Sequence, residues 1–145
     1  MYKRILIATD GSELAEKAVS TGVALAKALG AQVVAVTASE PWTTMTDGAG
    51  FAFNFPVEDY EKAVAERAAA ILSKVRAAAE TSAVACETVQ VNDFPAEGIL
   101  ATAKAKGCDL IVMASHGRRG VARFLLGSQA VEVLTLSPIP VLICR

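Results

Sequence analysis

The feature that most constrains this chain is an alternation of two patterns. Short β-branched runs at Arg4–Thr9, Gln32–Ser39, Glu87–Val91, Leu110–Ala114 and Val141–Cys144 are separated by stretches with helical spacing. Strand and helix in alternation predict a parallel sheet with helices on both faces. The runs Ile5-Leu6-Ile7 and Leu110-Ile111-Val112-Met113 are apolar throughout, as strands covered on both sides must be. Glu87-Thr88-Val89-Gln90-Val91 alternates polar with apolar instead, which predicts a less buried strand at a sheet edge. The expected fold is an open five-stranded α/β sheet, built as one domain over residues 1–145.

Helix boundaries are marked by residue type. Ser12 can cap a helix running to about Leu29, with Glu13 and Glu16 at its positive end. Ala15, Ala18, Val19, Gly22, Val23 and Ala26 recur at helical spacing and give it a small-residue face. Gly30 stops it, and Gly107 recurs in the same place before the strand at Leu110, so one helix-to-strand joint is used twice. A second helix is expected from about Val57 to Glu80, with Tyr60, Val64, Ala68, Ile71 and Val75 as its apolar stripe. A third begins near Pro95, with Asp93 placed to accept from its open amides. A fourth begins near Ser128 and ends before Ser137-Pro138-Ile139-Pro140, where two prolines force the chain out of helix. Glu40 to Pro56 is a long connection without a period, and it carries Trp42, Met45, Phe51, Phe53 and Phe55. It reads equally as a lid or docking surface and as a loop folded over the sheet edge with its aromatics as satellite core.

Composition excludes several functions. Fourteen Lys plus Arg against fifteen Asp plus Glu give a formal net charge of −1. That balance lacks the cationic excess of a nucleic-acid binder. No apolar run approaches the roughly 20 residues of a membrane helix, and the N-terminal run is too short for a signal peptide. A cytoplasmic location with no membrane partner is therefore expected. Cys86, Cys108 and Cys144 form no CxxC and read as reduced thiols used as small hydrophobes, and His116 is the only histidine, which argues against zinc.

Two loops carry chemistry. Open parallel sheets bind ligands at the carboxyl ends of their strands, where strand order reverses. Ala8-Thr9-Asp10-Gly11-Ser12 follows the first strand. Asp10 there can accept from a ribose hydroxyl, hold a metal, or simply cap the next helix. The second loop, from Ala114 to Gln129, follows the fourth strand. Gly117, Gly120 and Gly127 allow close backbone approach, and Gly127-Ser128 opens a helix whose free amides form an anion site. Arg118, Arg119 and Arg123 add three positive charges, and no acid occurs between Asp109 and Glu132. The loop reads as a polyphosphate cradle. It is neither a Walker A loop nor a GxGxxG fingerprint. His116 has only Ser115 and Ser128 as neighbouring hydroxyls and no nucleophile elbow, so it is not assigned as a general base.

Together the two loops resemble the universal stress protein family, and the resemblance runs from Tyr2 to Arg145. It is carried by Ile5-Leu6-Ile7-Ala8-Thr9-Asp10-Gly11-Ser12, by Asp109 to Gly117, by Leu125-Leu126-Gly127-Ser128 and by Pro140-Val141-Leu142-Ile143-Cys144. The resemblance implies a flavodoxin-like, adenine nucleotide alpha hydrolase-like sheet in strand order 3-2-1-4-5. It also implies a homodimer, and ATP with Mg²⁺ as ligand in one subgroup. The phosphate motif of that subgroup, Gly-x2-Gly-x9-Gly-Ser/Thr, falls on Ala114, Gly117, Gly127 and Ser128, so alanine replaces the first glycine. An added methyl there is expected to weaken nucleotide binding. By the same resemblance, adenosine contacts fall on Ala8, Thr9, Asp10, Ala38 and Met113. The phosphate side comprises Ser115, His116, Gly117, Arg118, Arg119, Gly120, Gly127, Ser128 and Gln129.

The expected function is a nucleotide-binding stress-response regulator. It would pair as a homodimer through the strand at 140–144, an edge whose free amides need covering. Two alternatives stay open: a family member that binds no nucleotide and works through dimer and partner surfaces, and a slow ATPase. No carboxylate pair accompanies the arginines to hold two metals or activate water, which argues against efficient phosphoryl transfer. A phosphorelay receiver would need an acidic pair after the first strand, where only Asp10 stands.

Overall fold

The computed structural model describes residues 1–41, 57–117 and 126–145. In chain order the elements are β1 (Arg4–Ala8), α1 (Glu13–Leu29), β2 (Gln32–Ser39), α2 (Val57–Thr81), β3 (Cys86–Asn92), α3 (Pro95–Ala105), β4 (Leu110–Ala114), α4 (Ser128–Leu136) and β5 (Val141–Cys144). The strands form one parallel sheet in the order β3-β2-β1-β4-β5, as expected. The chain works outward from β1 to β3, then crosses to β4 and continues to β5. Right-handed crossovers taken in opposite directions put α1 and α2 on one face, α3 and α4 on the other.

Strand alternation divides the core accordingly. Ile5, Ile7, Leu110 and Val112 turn toward α1, and Ala35 packs with Leu72 and Val75 of α2. Leu6, Val34, Val36, Ile111 and Met113 turn toward α3 and α4. The edge strand β3 is only partly buried, as its alternating sequence predicts. Gly22 lets α1 approach the sheet, since a Cβ there would stand 2.6 Å from Ile7 Cδ1. The buried stripe of α2 is Ala68, Leu72, Val75 and Ala79, shifted from the expected one. Tyr60, Val64 and Ile71 are half-buried at its flank.

The helix-to-strand joint occurs three times, not twice. Gly30 and Gly107 are left-handed at φ 66° and 64°, and the following amides of Ala31 and Cys108 reach back to Ala26 O and Ala103 O. The same turn ends α2, where Val84 N–H donates to Ala79 O at 2.9 Å, but its left-handed residue is Ala83, at φ 56°. At the other end of α1, Ser12 Oγ accepts from Ala15 N–H as expected.

The expected cap of α3 differs. Among the described residues Asp93 Oδ1 accepts only from the N–H of Phe94, the N-cap residue. The first-turn amide of Ala96 donates instead to Gln129 Oε1 of α4, at 3.0 Å. Among the described residues no helix is long and apolar enough to cross a membrane.

Candidate functional site

Large residues fill the middle of the sheet, but its C-terminal crest carries small ones. β1 and β4 end on Ala8 and Ala114, and β2 carries Ala38 one residue before its end. The space left above them is a cleft of about 590 Å³ between the two helix layers. It lies where strand order reverses between β1 and β4, the usual ligand position in such sheets, and its size is typical of small-molecule sites.

Most of the sequence-predicted site residues meet in this cleft. Ala8, Thr9, Asp10, Ala38, Met113, Ala114, His116, Gly117, Ser128 and Gln129 all line it. Asp10 sits in a turn of its own: its Oδ1 accepts from Ser12 N–H at 2.9 Å, and Thr9 Oγ1 accepts from Gly11 N–H at 3.1 Å. The carboxylate therefore supports the start of α1 while its Oδ2 faces Gly117. A Cβ on Gly117 would stand 3.0 Å from that oxygen, which is why a glycine fits there.

The positive end of α4 forms the opposite wall. Gly127 is its N-cap residue, and no side chain among the described residues caps it. The amides of Ser128, Gln129 and Ala130 have no hydrogen-bond acceptor among the described residues, and these three residues line the cleft. Three such amides at a helix start favour an anion.

Two members of the expected phosphate set stand behind the wall. Gly127 N–H donates to Ser115 O at 2.7 Å, so this amide serves the loop and is not a ligand donor. A Cβ on Gly127 would lie 3.0 Å from the same oxygen and 3.3 Å from His116 Cα. Gly127 is thus required by protein backbone, not by ligand approach. Ser115 is buried, its amide donates to Cys144 O at 2.8 Å, and its Oγ lies 3.0 Å from His116 Nδ1. It anchors β4 to β5 and orients His116. Arg118, Arg119, Gly120 and Arg123 lie outside the described residues, as do residues 42–56 of the aromatic connection.

Ala114 also differs from expectation. It is the last residue of β4, registers with Cys144, is 8% exposed and belongs to the core on the α1 side. Its φ is not among the positive ones, so the backbone asks for no glycine there. The sequence reading missed Glu40, Arg67 and Ile71, which line the cleft from the β2 and α2 side.

Ionisable groups away from the cleft are structural. Burial pushes the Cys108 thiol up to about 11 and raises Cys86 as well, which keeps both protonated. At the opposite end of the sheet Glu87 pairs with Lys106 and, at 3.6 Å, with Arg4. The Lys106 hydrogen bond holds the Glu87 carboxyl below its ordinary value.

The sequence profile of the universal stress protein family matches residues 1–145. The chain belongs to the universal stress protein family. A universal stress protein of Thermus aquaticus, from the QAH/OAS sulfhydrylase 3′ region, is 37% identical over 145 residues and aligns along the whole of both chains. Universal stress protein YxiE of Bacillus subtilis is 33% identical over 148 positions, again along the whole of both chains. Among solved structures, MJ0577 of Methanocaldococcus jannaschii superposes with a TM-score of 0.84 at 26% identity, covering 99% of this chain and 96% of that one. A universal stress protein in complex with cAMP shares the fold, with a TM-score of 0.70 at 24% identity over 99% of this chain and 97% of that one. One from Archaeoglobus fulgidus in complex with dAMP shares it at a TM-score of 0.68 and 20% identity, over 99% and 98% of the two chains.

Proposed function

We propose that this universal stress protein binds an adenine nucleotide, ATP with Mg²⁺, in the crest cleft and acts as a homodimeric stress-response regulator. The observation that carries the reading is the start of α4. Its three unpartnered amides share one cleft with Asp10 and Gly117, on the side of the sheet where small residues leave room for a ribose and base. Fold neighbours in complex with cAMP and dAMP support an adenine nucleotide over a bare anion. On this reading the α4 amides take the phosphates, Asp10 the ribose hydroxyls, and Ala8, Ala38 and Met113 make the remaining contacts to the adenosine.

The chain's oxygens suit Mg²⁺ only as a companion of the phosphates. No group of three or more His, Cys, Asp or Glu able to hold a metal occurs among the described residues. Mg²⁺ keeps several waters and is commonly held by one carboxylate plus substrate phosphates. Asp10 and the Ser128 hydroxyl are the ligands the cleft offers on its β1 and α4 side, and the ion would neutralise phosphate charge there.

The dimer reading rests on apolar surface beside an open edge. Leu142 of β5 and Val131, Leu134 and Leu136 of α4 are all exposed. An apolar edge strand flanked by such residues is a template for pairing. Titration calorimetry with ATP and AMP tests the ligand. Binding of ATP in the micromolar to low millimolar range is expected, and no binding of either nucleotide overturns the reading. Light scattering at tens of micromolar tests the dimer, and a monomer there refutes it.

A further inference from the structure

The cleft has a side that the phosphate reading leaves unused. Thr37 lies on the α1/α2 face of β2, two residues on from Ala35, which packs against Leu72 and Val75. It is 3% exposed and lines the cleft, and its hydroxyl has no hydrogen-bond partner among the described residues. A buried hydroxyl without a partner is destabilising. Yet this one is not sealed in, since Arg4 Nε is the only side-chain nitrogen or oxygen among the described residues that is both enclosed and unpaired. Its missing partner must come from the cleft. Arg67 and Ile71, one helical turn apart on α2, line the same side, and Arg67 makes no ion pair among the described residues. The rim above them is held where Tyr60 Oη donates to Glu40 O at 3.3 Å.

Strand order decides which part of a ligand reaches these groups. The start of α4 is bonded to the residue just after β4, Asp10 follows β1, and Thr37 belongs to β2. Adjacent strands lie about 4.8 Å apart, so β4 and β2 are separated by roughly 10 Å. A nucleotide with its phosphates at α4 lays its ribose over β1 and its base over β2. We propose that Thr37 and Arg67 form the nucleobase subsite of the cleft. The Thr37 hydroxyl hydrogen-bonds the edge of the base, and the Arg67 guanidinium stacks on the ring beside Ile71. This rests on the nucleotide reading above, and it adds two residues that the phosphate motif does not reach.

The test is calorimetric titration of ATP, adenosine and inorganic tripolyphosphate against wild type, Thr37→Val and Arg67→Met. Each variant is expected to bind ATP and adenosine roughly two- to tenfold more weakly, the range of one hydrogen bond or one cation–π contact. Tripolyphosphate binding stays unchanged. Thr37→Val melts no lower than wild type, because it removes an unpartnered hydroxyl, so its weaker binding is not lost folding. Variants that bind ATP and adenosine like wild type overturn the subsite and leave the nucleotide reading intact. A fall in tripolyphosphate affinity in Arg67→Met makes Arg67 a phosphate ligand and also overturns it. Wild type that binds tripolyphosphate but neither ATP nor adenosine overturns the nucleotide reading and the subsite with it.

Discussion

Replacing Ala114 with glycine separates two accounts of the one position where this chain departs from the family's phosphate motif. If the motif requires glycine for ligand approach, restoring it relieves strain worth on the order of 1–3 kcal/mol, or about 5- to 150-fold in affinity. The structure argues otherwise. Ala114 sits in regular β4 geometry, 8% exposed, with its methyl in the core on the α1 side. Glycine there deletes one buried methyl, about 0.8 kcal/mol. It also frees the unfolded chain, at a further cost of about 0.5–1 kcal/mol. The expected result is a loss of about 1.5 kcal/mol, which in a chain of this size lowers Tm by roughly 3–6 °C. ATP affinity should change by less than about twofold. Melting curves and titrations on the two proteins at matched salt and Mg²⁺ measure both quantities. Tighter ATP binding by fivefold or more with an unchanged Tm would refute the core assignment and reinstate the methyl as an obstacle to the ligand.

Four further substitutions probe the rest of the architecture. Ala83→Gly should stabilise by about 0.5–1 kcal/mol, because alanine in the left-handed region is disfavoured by about 1–2 kcal/mol against glycine's larger unfolded-state entropy. Gly30→Ala, where an added Cβ meets nothing within 4 Å, should destabilise by a similar amount, and urea midpoints that move the same way in both variants count against this account. Gly127→Ala should lower Tm by the equivalent of about 1–3 kcal/mol and weaken ATP binding, since its Cβ would press on the carbonyl of Ser115 at 3.0 Å; an unchanged melting curve contradicts the tight contact. Glu87→Gln should be less stable than wild type at neutral pH. Because Lys106 lowers the folded carboxyl below its ordinary 4.5, the contribution is present above that value and vanishes as pH falls through the folded one. The gap between the two proteins in urea should therefore narrow as pH falls below 4.5.

The layout of the sheet was legible because two patterns are written plainly in the chain. Short β-branched runs, continuously apolar at the buried strands and alternating only at β3, mark the strands, stretches near 3.6 mark the helices, and glycines at 30 and 107 mark where one gives way to the other. The third joint escaped because its left-handed residue is Ala83, which packing of Val84 and Ala79 around it holds in place. The cap of α3 escaped for a different reason: its acceptor, Gln129, is 33 positions away, and no local pattern announces a partner at that distance. Of the phosphate loop, the sequence showed where glycine is needed but not against what. Gly117 makes room for Asp10 Oδ2, whereas Gly127 makes room for Ser115 O.

Register is what turns these local signals into a cleft. Ala8 pairs with Val36 and Ala114 with Cys144, so the small ends of β1 and β4 stand at the crest while Ile7 and Val112, paired one step below, fill the layer under it. Each alanine alone is an unremarkable strand residue, and only their shared height leaves the opening. The same register explains why the α2 side went unread. A helical wheel sorts Arg67 as solvent-facing and Ile71 as core flank, and neither assignment is wrong. Yet the cleft runs along that boundary, beside the unpartnered hydroxyl of Thr37. A residue at such a seam has no period of its own, so its role can be argued only once the strands that bound it have been set side by side.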